Sequence, residues 1–154
     1  MIQRIQSLYL LLSAIVTAIS LGMPFLQCSA PGSDVILYAF RISDSSSLIF
    51  SEHTPFYTLG ASVSTSILLS VITIFLYTNR SLQMRLTIYG IILKCAILAV
   101  IGYVWYMLNS IEIQFTIIPQ IGIICIAIAI VLEWLAYKGI QKDEKLVRSI
   151  DRIR

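Results

Sequence analysis

The sequence predicts an all-α membrane protein: four transmembrane helices, both termini cytoplasmic, a small extracytoplasmic β-hairpin or three-stranded sheet, and an amphipathic C-terminal helix. Three observations carry that reading. Charged residues make up 12% of the 154 residues and hydrophobic ones 58%, against about 25% charged in an ordinary soluble domain. The apolar residues gather into long runs, each close to the ~20 residues that a spanning helix needs. With four spans, nearly every basic residue falls on one side.

The elements follow in order. "MIQRIQ" sets Ile2 and Ile5 against Gln3, Arg4 and Gln6, a short interfacial entry into a first span over about 7–26. The outer loop, 27–54, holds "DVILYAFRIS" and "SSLIFSEH", β-favouring runs separated by "DSSS", which reads as a hairpin. Thr54-Pro55 supplies an N-cap followed by proline at the first helical position, and opens a second span over about 55–77. The basic inner loop "YTNRSLQMR" leads to a third span over about 86–107. In the short second outer loop, "SIEIQF" alternates apolar and polar residues and is expected to pair with the hairpin as a third strand. The fourth span covers about 117–137, with Pro119 tolerated in its first turn, and a cytoplasmic tail fills 138–154.

Orientation follows from charge. Arg4, Arg80, Arg85, Lys138, Lys142, Lys145, Arg148, Arg152 and Arg154 share one side, whereas the other has Arg41 alone among Asp34, Asp44, Glu52 and Glu112. Within the spans, small residues mark packing faces, because lipid gives helices no hydrophobic reason to associate. Ala14, Ala18 and Gly22 recur in the first helix, and Ser62, Ser66 and Ser70 in the second. A tightly packed bundle is the expectation; a polar stripe lining a pore is the alternative.

Several chemistries lack their residues. A haem bundle needs paired inward histidines, but the one histidine is His53, in the outer loop beside Glu52. Cys28, Cys95 and Cys125 form no CxxC pair and no metal spacing. "FLQCSAPG" is a poor lipoprotein box, since Gln27 stands where a small residue belongs and Pro31 follows closely. Neither GxSxG nor a phosphate-cradling glycine loop occurs. No catalytic residue, cofactor or metal site is expected, and no enzyme.

Lys94 lies well inside the third span and Glu133 inside the fourth. A lysine near mid-span costs about 2.5–3.5 kcal/mol on insertion scales, so such residues are functional candidates. Three readings stand open: an ion pair locking the two helices, separate snorkelling to the interface, or a transport or proton-coupling role.

The cytoplasmic surface joins Arg4, Arg80, Arg85 and the tail "KDEKLVRSIDRIR". In the tail, Leu146, Ile150 and Ile153 form an i, i+4, i+7 stripe, and Glu144 to Arg148 is a favourable i, i+4 pair. Mixed charge excludes nucleic acid as the expected partner. The tail either lies on the anionic leaflet or itself, or docks into a partner protein. The acidic Asp143, Glu144 and Asp151 favour docking, for which Arg4, Arg80, Arg85, Lys142, Lys145, Arg148, Arg152 and Arg154 are the candidates.

"MIQRIQSLYLLL", "IFLYTNRSLQMRL" and "KDEKLVRSIDRIR" together resemble a family of small, uncharacterised four-span proteins from one phylum of Gram-negative bacteria, classed as a domain of unknown function. The likeness runs through the whole chain in order and falls on its three cytoplasmic pieces. It implies an inner-membrane location and brings no activity, cofactor or catalytic residue. The expected function is a non-enzymatic inner-membrane scaffold or accessory subunit, in contact with the lipid bilayer and a protein partner, with a homo-oligomer compatible. The alternative is a small oligomeric transporter or channel component using Lys94 and Glu133.

Overall fold

The computed structural model describes residues 3–30, 33–44, 54–77, 79–109 and 116–151. Its elements are α1 (Gln3–Gly22), β1 (Leu26–Ala30), β2 (Ser33–Leu37), β3 (Ile42–Asp44), α2 (Thr54–Phe75), α3 (Arg80–Asn109), β4 (Thr116–Pro119) and α4 (Ile121–Asp151). Each helix contains a stretch long and apolar enough to cross a membrane: Ile5–Gly22, Tyr57–Phe75, Arg80–Tyr106 and Ile121–Leu146.

Helix α1 packs on α2 and α4, and α3 packs on the same two. The four therefore close into a ring with α1 diagonal to α3 and α2 diagonal to α4. Leu8, Leu11, Ile15, Leu68, Ile72, Ile92, Ile124 and Ile128 point outward, while Ser13, Thr17, Ser20, Ser66, Ser70, Thr73, Gln83 and Thr87 are buried. Polar residues inside and large aliphatics outside invert the pattern of a water-soluble bundle and fit an apolar surrounding. The interior hydroxyls mostly bond within the helices: Thr17 Oγ1 donates to the Ser13 carbonyl at 2.7 Å and Ser20 Oγ to that of Thr17 at 2.7 Å. Ser13 Oγ instead crosses to α4, donating to the Ala129 carbonyl at 3.1 Å. So α1 presents its hydroxyl residues to the bundle; Ala14 is buried with them, but Ala18 and Gly22 of the expected packing face are exposed.

A small antiparallel sheet closes one end of the bundle, in the order β3-β2-β1-β4. It differs from the expected hairpin in its strands. The run "DVILYAFRIS" folds back on itself, with Tyr38 N–H donating to the Arg41 carbonyl and Ile36 opposite Ser43. The unforeseen partner is β1, which leaves α1 after Pro24 and pairs with both β2 and β4. Among the described residues the second loop contributes Thr116–Pro119, and Pro119 ends that strand instead of opening α4. Residues 45–53 and 110–115, which held the rest of the expected sheet, lie outside the described residues.

The sheet end is sealed by an apolar cluster of Phe25, Leu26, Leu59, Val63, Ile97, Ile101 and Ile126. Gly122 makes the closure possible. Its N–H donates to the Pro24 carbonyl at 2.9 Å, and a Cβ there would lie 2.7 Å from that oxygen and 3.0 Å from the Phe25 ring. At the other end, α4 continues without a break to Asp151, so one helix carries both the fourth span and most of the tail.

Candidate functional site

The structure brings Lys94 and Glu133 together. Each sits on the inward face of its helix, Lys94 in line with Gln83, Thr87 and Gly90 on α3, and Glu133 with Ala136 and Ile140 on α4. Lys94 Nζ donates to Glu133 Oε1 at 2.6 Å, with the two side chains 0% and 1% exposed. Neither side chain snorkels. Ser70 of α2 completes the cluster: its Oγ donates to the same Oε1 at 2.6 Å and accepts from Lys94 Nζ at 3.3 Å. Three helices thus converge on one carboxylate oxygen.

Gly90, one turn before Lys94, makes room for the carboxylate. A Cβ at Gly90 would lie 3.0 Å from Glu133 Oε2 and 3.1 Å from Oε1. Oε2 itself has no hydrogen-bond partner, nor has the buried Ser66 Oγ one turn along α2. A buried pair of charges gives up much hydration, and its attraction repays this only with good geometry and added hydrogen bonds. Here the separation is short and Ser70 adds one bond to Oε1, while Oε2 is left without one.

The cluster sits at a boundary. On α2 and α3 the inward positions towards the sheet include Leu59, Val63, Ile97 and Ile101, and those towards the other end include Ser70, Thr73, Gln83 and Thr87. Gln83 Nε2 donates to the Thr73 carbonyl at 3.2 Å, tying α3 to α2.

At the far end, Gln6 Nε2 donates to Asp143 Oδ2 at 2.5 Å, and both residues are buried. Gly139 lets Gln6 lie flat on α4, since a Cβ there would be 2.9 Å from Gln6 Cγ. The first turn of α1 carries no acidic residue. Asp143 supplies from α4 the negative charge that a helix N-terminus favours.

The basic candidates spread over this same end. Lys142, Lys145 and Arg85 are exposed and Arg80 is half-buried. Arg4 and Arg148 lie within α1 and α4, but their side chains are outside the description, as are residues Arg152 and Arg154 altogether. Lys138 Nζ stands 3.6 Å from the centre of the Trp134 ring. No cluster of three His, Cys, Asp or Glu able to hold a metal exists among the described residues. Cys28, in the middle of β1, is buried, and burial pushes its thiol above the ordinary range.

Sequence reasoning missed Ser70, Gly90 and the Gln6–Asp143 bond as parts of a site. Ser70 had a signal: it ends the serine repeat of α2 in the half of the span where Lys94 and Glu133 lie.

This geometry defines a class, a four-helix protein apolar enough for a membrane, with a buried ion pair inside it and basic residues at one end. The chain belongs to the family described as "Domain of unknown function (DUF4293)", which matches residues 2–153. No curated protein and no solved structure matches it.

Proposed function

We propose that the protein is a non-enzymatic scaffold or accessory subunit of the bacterial inner membrane, with both termini cytoplasmic, that docks a larger complex through its basic end. The observation that carries this reading is the closure of the Lys94–Glu133–Ser70 cluster. A charged pair that is 0% and 1% exposed and bonded to itself holds helices in place. It offers a moving solute no open face. An apolar groove lined by Leu26, Leu98, Ile101, Trp105 and Ile123 touches neither charge. Polarity then leaves the basic end, with Arg80, Arg85 and the last turns of α4, as the surface for a protein partner.

The test is an affinity pull-down from detergent-solubilised membranes, comparing the intact chain with one ending at Leu146. That cut keeps Asp143 and removes the final turns. A partner held by the intact chain and lost on truncation supports docking; identical, partner-free profiles overturn it.

A small transporter or channel component is the second reading, favoured by the two buried atoms without partners, Glu133 Oε2 and Ser66 Oγ. It requires that Glu133→Gln abolish function while the truncation leaves function intact.

A further inference from the structure

The charges of α4 alternate in sequence but separate in space. Glu133, Ala136, Ile140 and Asp143 are buried and follow steps of three and four residues, so they form the inward face. Trp134, Lys138, Lys142 and Lys145 also follow steps of four and three, on the opposite face, within about 80° of arc at 3.6 residues per turn. Trp134, Lys138, Lys142 and Lys145 are all exposed, with the Lys138 ammonium over the Trp134 ring. Asp143 is turned inward onto Gln6, and Glu144 already has a partner. Neither acid therefore argues for a docking code, and among the described residues Lys142 and Lys145 have no acidic partner.

Depth decides what faces this row. Gln6 lies against Gly139 and Asp143, which sets the start of α1 level with Lys138 and Lys142. At that level α1 still exposes Ile5 and Leu8, each 54% accessible. The ammonium groups therefore leave the helix where a neighbouring surface is still apolar. Below them on the same face come Trp134, 48% exposed, and then Val131, Ile128 and Ile124, all exposed. Aliphatic stem, indole and lysine in that order match acyl chain, interface and headgroup.

We infer that the Trp134–Lys138–Lys142–Lys145 face of α4 is a binding site for the phosphodiester headgroup of an anionic phospholipid. Charge complementarity supplies the recognition: three cations on one face meet a phosphate that a zwitterionic lipid partly neutralises itself. Trp134 fixes the height and holds Lys138 by a cation–π contact. This rests only on the membrane-spanning part of the proposed function; it needs no protein partner and leaves Arg80, Arg85 and the turns beyond Leu146 to one.

The experiment is native mass spectrometry of the full chain released from mixed micelles of phosphatidylglycerol and phosphatidylcholine. The intact protein should retain phosphatidylglycerol preferentially. The K138Q/K142Q/K145Q variant should lose on the order of a hundredfold of that preference, at about tenfold or less per lysine near an anionic surface. K138R/K142R/K145R should keep it, which separates charge from packing. A chain ending at Leu146 should also keep it, so failure of partner docking leaves this result standing. Retained preference in the glutamine variant overturns the site. So does equal retention of both lipids by the intact protein. Competition by soluble glycerol phosphate as strong as by the lipid assigns the face to free phosphate and overturns the lipid.

Discussion

Lys94 Nζ and Glu133 Oε1 meet at 2.6 Å across the contact between α3 and α4, and neither side chain reaches the surface. Each charge is the other's compensation. Removing one leaves an ion in a low-dielectric interior, where breaking a buried pair costs about 3–5 kcal/mol. Removing both leaves two neutral groups and a cavity, a smaller loss.

We therefore expect Lys94→Met and Glu133→Gln each to lower thermal stability in detergent strongly, with the double variant more stable than the sum of the single effects. The measurement is a double-mutant cycle on unfolding free energy. Contacting residues couple by about 0.5–3 kcal/mol; additive losses would mean that the two charges act independently. Ser70→Ala should cost about 1.5–3 kcal/mol by the loss of a bond to a charged group.

Two glycines on α3 should respond oppositely to alanine. At Gly90 the new methyl meets Glu133 Oε2 at 3.0 Å, and the carboxylate is held on its other side by Lys94 and Ser70. Overpacking of that kind costs about 1–3 kcal/mol. At Gly102 a Cβ meets nothing within 4 Å, so Gly102→Ala should gain up to about 1 kcal/mol of helix propensity. In a Glu133→Ala background the Gly90→Ala penalty should vanish. If it persists there, the glycine serves something other than the carboxylate.

The spans were legible because apolar length is a property of the chain alone. The third and fourth run longer than hydrophobicity marks them, since Arg80 to Arg85 and Lys138 to Asp151 are polar yet helical. Lys94 and Glu133 stood out as charges in apolar runs, and their opposite signs on consecutive spans suggested a pair. Gly90 carried no such signal, because a close approach depends on how α4 sits against α3. The sheet was only half readable. Leu26–Ala30 falls where the first span gives way to the outer loop and carries no strand pattern, and its two-sided pairing comes from the turn at Pro24 and the Gly122 contact. Asp143 looked like one acid in a mixed tail; only the return of α1 beside α4 gives it a partner.

The three thiols should separate by reagent and by pH. Cys28 is buried outside the spanning helices, and burial raises its thiol above the ordinary value. At neutral pH it holds less thiolate than a free cysteine, so maleimide should react slowly in the folded protein. The rate should climb as pH rises beyond the usual thiol range, and unfolding should abolish the lag. Cys95 is exposed on the apolar exterior of α3. In intact membranes it should resist a charged, impermeant maleimide and accept a lipophilic one. Fast labelling of Cys95 by the charged reagent would place that face of α3 in water.

The bond from Gln6 Nε2 to Asp143 Oδ2 makes the tail of α4 part of the bundle up to a definite point. Ile140 is 1% exposed and Asp143 is buried, whereas Lys145 and Leu146 are exposed. Among the residues whose side chains are described, Asp143 is the last of α4 to be buried. A chain ending at Gln141 loses Asp143 and leaves Gln6 at the start of α1 without its acceptor, while one ending at Leu146 loses no described contact to α1. The shorter chain should be less stable by about 1–3 kcal/mol, and Asp143→Ala in the full chain should reproduce most of that loss. The longer one should match the intact protein. Hydrogen exchange should locate the effect in the first two turns of α1, whose amides lose the negative charge at the helix N-terminus. Equal stability of the two truncated chains would mean that the buried acid contributes nothing to holding α1.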